Sequence, residues 1–149
     1  MASYNNNYQR NPHRGGADRQ GQSAEVSYNH ILSRFNPEWI TKAIDAEGVQ
    51  FCDNVASKLK EVSASYVRNI FGELKRIETK GFENCRTDFF LLRPKVAYST
   101  ARNDKDKIAN LFKEVYNKMA DNVNDTLTFT NLVRMTEAII AYHRTYTNK

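Results

Sequence analysis

From Tyr28 onward the apolar residues recur at intervals of three and four, the spacing of one helix face, and no segment alternates apolar and polar positions as a strand would. Ile31, Leu32 and Phe35 form an apolar anchor leading into Asn36-Pro37-Glu38-Trp39. Asn36 is suited to cap a helix and Pro37 to occupy its first turn, so a short helix to about Ala46 is predicted. Gly48 interrupts, and Phe51, Cys52, Val55, Ala56, Leu59 and Val62 predict a second helix over about 49–61. Ser63 opens a third, running to about Lys80, with Tyr66, Val67, Ile70, Phe71, Leu74 and Ile77 as its core face and Gly81 as a left-handed C-cap.

The next stretch, Phe82 to Leu92, contains Phe89-Phe90-Leu91-Leu92, too apolar for an exposed loop, and predicts a further buried helical turn or two. Pro94 then suits the first position of a new helix, where its missing N–H would have no partner anyway. On that helix Ala97, Tyr98 and Ala101 are expected to pack, while Lys95, Ser99 and Arg102 share another face. Asn103-Asp104 breaks the pattern, and Ile108, Leu111, Phe112, Val115 and Met119 predict a helix over about 105–120. A polar loop from Asp121 to Thr128 follows. The last helix, about 129–146, presents Phe129, Leu132, Val133, Thr136, Ile139, Ile140 and His143 on one side, with Arg134, Glu137, Ala141 and Arg144 opposite. The sum is an all-α bundle of five to six helices over residues 25–149. Residues 1–24, rich in Asn, Arg, Gly and Gln, have too few large side chains to offset chain entropy, and a disordered tail is expected there. The tail reads as a solubilising linker, although its Arg14-Gly15-Gly16 is of the kind found in flexible RNA-contacting segments.

Composition sharpens this picture in three ways. A chain of 149 residues holds one domain, and its net charge of +5 points to a polyanionic partner such as nucleic acid. Only Cys52 and Cys85 are present, with no CxxC pair, so buried free thiols in a reducing cytoplasm are expected rather than a zinc site or a disulfide framework. No run approaches the ~18 apolar residues needed to span a bilayer, so a soluble cytoplasmic chain with no membrane partner is expected.

Enzymatic constellations are missing from the sequence: there is no Gly-rich phosphate loop, no HExxH, no acidic cluster suited to two-metal chemistry and no nucleophile beside a base. The expectation is a protein that is not an enzyme, without cofactor, metal or small-molecule substrate. His143 falls on the apolar face of the last helix and reads as a core histidine with one hydrogen-bonded nitrogen. What remains is positive charge on helix faces. Arg68, Gly72, Lys75 and Lys95, Ser99, Arg102 repeat one arrangement, a cation, a small residue at i+4 and a second cation at i+7. A small residue between two long cations lets a phosphate backbone approach the helix. Lys58 at the end of the second helix, Arg76 beside the first stripe and Arg93 beside the second complete the candidate RNA-binding set: Lys58, Arg68, Lys75, Arg76, Arg93, Lys95 and Arg102. The alternative is a helical protein–protein module whose basic stripes meet acidic partner surfaces, with no direct RNA contact.

Three motifs carry a family resemblance. Ser63-Ala64-Ser65-Tyr66-Val67-Arg68-Asn69-Ile70-Phe71, then Leu91-Leu92-Arg93-Pro94-Lys95-Val96-Ala97-Tyr98 with Arg102, then Glu137-Ala138-Ile139-Ile140-Ala141-Tyr142-His143 occur in order. Together they resemble the small subunit of type III-A CRISPR effector complexes, the Csm family, over about residues 36–146. The resemblance implies a non-catalytic helical subunit of an antiviral ribonucleoprotein. Its copies would stack as a filament beside the backbone subunits and line the groove holding guide RNA and target RNA, with nuclease chemistry left to the backbone and large subunits. Arg68, Lys95 and Arg102 lie within the matching motifs, and Lys58, Lys75, Arg76 and Arg93 come from the helical wheel alone. Ser99-Thr100 stands where the family pattern has smaller residues, and the N-terminal extension falls outside that pattern.

Overall fold

A computed structural model describes residues 29–103 and 108–147, and the expected tail lies outside the described residues. Residues 29–33 are helical and belong to a unit separate from the bundle of Arg34 onward. Within the bundle the order is α1 (Glu38–Thr41), α2 (Ala46–Lys58), α3 (Ala64–Lys80), a 3-10 turn (Phe82–Asn84), α4 (Arg86–Asn103), α5 (Ala109–Ala120) and α6 (Thr126–Thr147), with no strand among the described residues. The fold is an all-α bundle, as the periodicity predicts.

The bundle is built on α6, which packs against α1, α2, α3, α5 and the 3-10 turn. Phe129, Leu132, Val133, Met135, Thr136, Ile139, Ile140 and His143 are all buried along it. Its polar core groups find partners. The Asn131 amide donates to the Ile40 and Lys42 carbonyls at 2.8 and 3.0 Å, and His143 Nε2 donates to the Leu59 carbonyl at 2.9 Å, which is the core role expected for this histidine. The helix starts three residues before its expected position because Asp125 and Thr128 cap it reciprocally. Thr128 N–H donates to Asp125 Oδ1 at 2.9 Å, and Thr128 Oγ1 accepts from Asp125 N–H at 3.1 Å. The Thr128 backbone N–H first, and then its hydroxyl, which donates to Asp125 Oδ1 at 2.8 Å, hold the Asp125 carboxyl below its ordinary value.

Two sequence expectations at the first helices shift. Asn36 Oδ1 does accept from the Glu38 N–H at 2.9 Å, yet α1 ends at Thr41. The chain restarts at Asp45, whose carboxylate accepts from Gly48 N–H at 2.9 Å, so Gly48 sits inside the first turn of α2 instead of interrupting. It is there for space. A Cβ at Gly48 would lie 2.6 Å from Ile44 Cγ1 and 3.2 Å from the Trp39 ring, within the cluster of Phe35, Trp39 and Phe51. Also on α2, Cys52 is buried with its thiol 3.6 Å from the Met135 carbonyl, and burial pushes its pKa up to about 12. Cys52 and Cys85 are both free and buried. Helix α3 ends as predicted at Gly81, with φ of +94°, where a side chain would be strained.

The larger correction concerns α4. The expected break before Pro94 is absent, and one helix runs from Arg86 to Asn103 with Pro94 inside it. Pro94 removes the donor for the Phe90 carbonyl, a loss that is tolerable because Pro94 is exposed and water reaches that side of the helix. The packing face is also different from the expected one. Phe89, Leu92, Val96 and Thr100 are buried, whereas Ala97, Tyr98 and Ala101 are exposed. Contact with α3 and α5 on both sides of the proline holds the helix continuous.

Candidate nucleic-acid interface

Helices α3 and α4 pack antiparallel, and three contacts fix their register. The Tyr66 and Thr100 hydroxyls hydrogen-bond, Lys95 acts electrostatically on Glu73, and Arg76 reaches Asp88 at 3.9 Å. With equal rise per residue on the two helices, Arg68 lies level with Tyr98 and Gly72 level with Lys95. The Lys95 end of the second stripe therefore runs alongside the Gly72–Glu73 stretch of α3.

The seven candidate residues divide by what they touch. Arg93 donates to Asp121 Oδ1 at 2.8 Å and to the Asn117 carbonyl at 3.2 Å, so it clasps the C-terminal end of α5. There it lines a cavity of about 290 Å³ with Phe89, Phe90, Tyr116, Ala120 and Asp121, turned away from α3. Arg76 pairs with Glu73 at 2.8 Å and approaches Asp88, acting as a strut between the two helices. Lys75 pairs with Glu78 at 2.6 Å, a bond that raises its pKa, and it also feels Glu137 of α6. Lys58 is exposed in the last turn of α2, whose main neighbour is α6, so it is not brought into the α3–α4 stripe.

Arg68, Lys95 and Arg102 differ from Arg93, Arg76 and Lys75. All three are exposed, and none makes an ion pair among the described residues. Lys95 acts on Glu73, whose carboxyl is held below its ordinary value first by the Arg76 hydrogen bond and then by the charges of Arg76 and Lys95. The residues that the helical wheel added on α3 and α4, Lys75, Arg76 and Arg93, are those engaged in internal pairs. Spacing on α3 already offers Glu78 to Lys75 and Glu73 to Arg76, three residues away, whereas Asp121 for Arg93 and Asp88 for Arg76 come from elsewhere in the chain and spacing does not reveal them.

Two further features of this face bear on what can bind. Gly72 is exposed in mid-helix, and a Cβ built on it would meet nothing within 4 Å, so its absence is not required by packing. Tyr98, expected in the core, is 63% exposed, with the Arg102 guanidinium 5.8 Å from its ring centroid. Ser99 is half-buried on the α3 side instead of standing in the open stripe. The available signal for Tyr98 was α4's composition: apolar residues occur all round it, more than one face can bury. The arrangement of three long cations around an open glycine and an aromatic ring suits a polyanion with planar groups. Among the described residues no three His, Cys, Asp or Glu side chains gather to hold a metal, and no helix is long and apolar enough to cross a membrane.

A family model described as Csm2 Type III-A matches residues 45–149, a span that includes both stripes and the helix they pack on. No curated protein and no solved structure matches the chain.

Proposed function

The chain belongs to the Csm2 type III-A family, small subunits that associate with other Csm subunits in a CRISPR complex, and from that premise we propose that its α3–α4 face meets RNA. In this reading the protein is a non-catalytic subunit of a cytoplasmic antiviral ribonucleoprotein. Its copies stack as a filament beside the backbone and large subunits and hold guide and target RNA mainly by the phosphate backbone. Residues 1–24 serve it as a solubilising tail.

The observation that carries the proposal is that Arg68, Lys95 and Arg102, on adjacent antiparallel helices, are exposed and make no ion pair among the described residues, with Gly72 open on α3. Phosphate contact by a few cations per copy is weak and salt-sensitive, and repetition along one duplex multiplies it through effective concentration. Glu78, Glu73 and Asp121 compete for Lys75, Arg76 and Arg93, which leaves those a secondary role.

The test is the double variant Lys95→Ala plus Arg102→Ala in the assembled complex, scored by target-RNA affinity across a salt series. Target capture weakens, the dependence of log affinity on log salt becomes shallower by about one per lost phosphate contact, and assembly is intact. Unchanged affinity and slope in an assembled complex would reject the assignment. A protein–protein reading draws on the exposure of Phe90 and Leu91, 60% and 53%. Photoreactive target RNA separates the two, since the protein–protein reading yields no adduct on α3 or α4.

A further inference from the structure

We infer that Tyr98 stacks on an unpaired nucleobase beside the phosphate track, a contact that rests on the RNA reading above and adds base recognition to it. An exposed tyrosine on a helix often has a structural reason, and here the usual ones are missing. The interior face of α4 is completed by Leu92, Val96 and Thr100, and the flanking Ala97 and Ala101 are exposed, so no apolar groove covers the ring. Its hydroxyl has no hydrogen-bond partner among the described residues. What the ring does have is cations. Arg102 lies 5.8 Å from its centroid, Lys95 is one turn earlier at i−3, and Arg68 stands level with it across the helix pair.

That setting discriminates between partners. Protein–protein interface cores are depleted in charge, and a ring with Arg102 over it and Lys95 one turn away is a poor apolar anchor. Phe90 and Leu91, two turns toward the N-terminus, are the better candidates for such contact. Nucleic acid satisfies both parts of the Tyr98 setting at once, with phosphates for Lys95, Arg102 and Arg68 and a π-face for the ring. Bases inside a duplex have their faces covered by neighbours, so the matching ligand is a base that is single-stranded or extruded from a helix. The stacking is indifferent to which base it is, because every base offers such a face.

The experiment uses the full chain and the assembled complex with an RNA carrying one 2-aminopurine, moved through the strand position by position, single-stranded and as a bulge in a duplex. Binding is expected to quench the probe at one or more positions. Tyr98→Phe retains the quench, and Tyr98→Leu abolishes it, with roughly tenfold weaker affinity and an unchanged salt slope because the phosphate contacts remain. Retained quenching in Tyr98→Leu, with the variant folded by circular dichroism, overturns the stacking assignment and leaves the phosphate track standing. Loss of assembly in Tyr98→Leu with RNA binding intact identifies the ring as a protein anchor and overturns it as well. Absence of RNA binding by the unaltered complex overturns both proposals together.

Discussion

Helices α6 and α4 are both rich in apolar residues, but they dispose of them in opposite ways. In α6 the large apolar side chains from Phe129 to Ile140 gather on one side and are buried, Arg134, Glu137, Ala141 and Arg144 are exposed opposite them, and the polar core groups Asn131 and His143 are hydrogen-bonded to carbonyls of other segments. In α4 a buried row, Phe89, Leu92, Val96 and Thr100, is backed by a second, exposed one containing Phe90, Leu91 and Tyr98. From Phe129 onward folding leaves no large apolar side chain of the first helix exposed, although Leu127 in its opening turn is, whereas in the second it leaves half of them exposed. Clustered apolar exposure of this kind is what interaction surfaces show, and it is the ground of the binding role proposed for α4.

That contrast can be broken most directly by truncating leucines. Leu132→Ala, fully buried in α6, is expected to destabilise by about 2–5 kcal/mol, whereas Leu91→Ala on the outer row of α4 changes stability by less than about 0.5 kcal/mol. Urea unfolding of both variants measures the difference. Comparable losses would mean that the outer row is part of the core after all.

A pair of glycines gives a smaller and opposite-signed test. Gly48→Ala forces a methyl group against Ile44 and the Trp39 ring and is expected to destabilise by roughly 1–3 kcal/mol. Gly72→Ala enters open space in mid-helix and is expected to stabilise by roughly 0.5–1 kcal/mol through helix propensity. If Gly72 serves phosphate approach, the same variant lowers target-RNA affinity while raising the unfolding midpoint. A gain in stability with no change in binding would assign the glycine no role at the interface.

The smallest effect is expected at the start of α6. Asp125 has a folded-state pKa below its ordinary 3.8, chiefly because the Thr128 backbone N–H donates to it. Its contribution to stability is therefore complete well above that value and is lost as pH falls through the lower folded pKa, where the protonated carboxyl becomes a weaker acceptor. Asp125→Asn keeps an acceptor oxygen and removes the titration, so its stability should fall less steeply than that of the unaltered chain between about pH 5 and pH 2 in thermal unfolding.

Much of the bundle was legible because periodicity and punctuation agree. Tyr66, Val67, Ile70, Leu74 and Ile77 mark α3 and Gly81 stops it; Phe129 to His143 marks the core of α6. Reading failed where one residue type serves two ends. Phe89-Phe90-Leu91-Leu92 supplies both faces of α4, and only the positions of α3 and α5 decide which members are buried. Pro94 looked like a start because proline is common at the first turn, yet an exposed proline with packing on either side of it can be carried within a helix. At the candidate site, spacing found the stripes and offered Glu73 and Glu78 as partners on α3, but it could not show that Arg93 is held by Asp121, 28 residues along the chain. It also assigned Tyr98 to the core on the strength of its apolar ring.

Cys52 gives the core of this bundle an intrinsic clock. A thiol that is fully buried, bonded toward the Met135 carbonyl and raised to about 12 holds almost no thiolate at neutral pH, and no reagent can reach it while α2 lies on α6. Alkylation must wait for that pair of helices to separate. The labelling rate of Cys52 therefore reports how often the centre of the protein opens, and any drop in that rate when the subunit joins its complex measures how firmly assembly holds it shut.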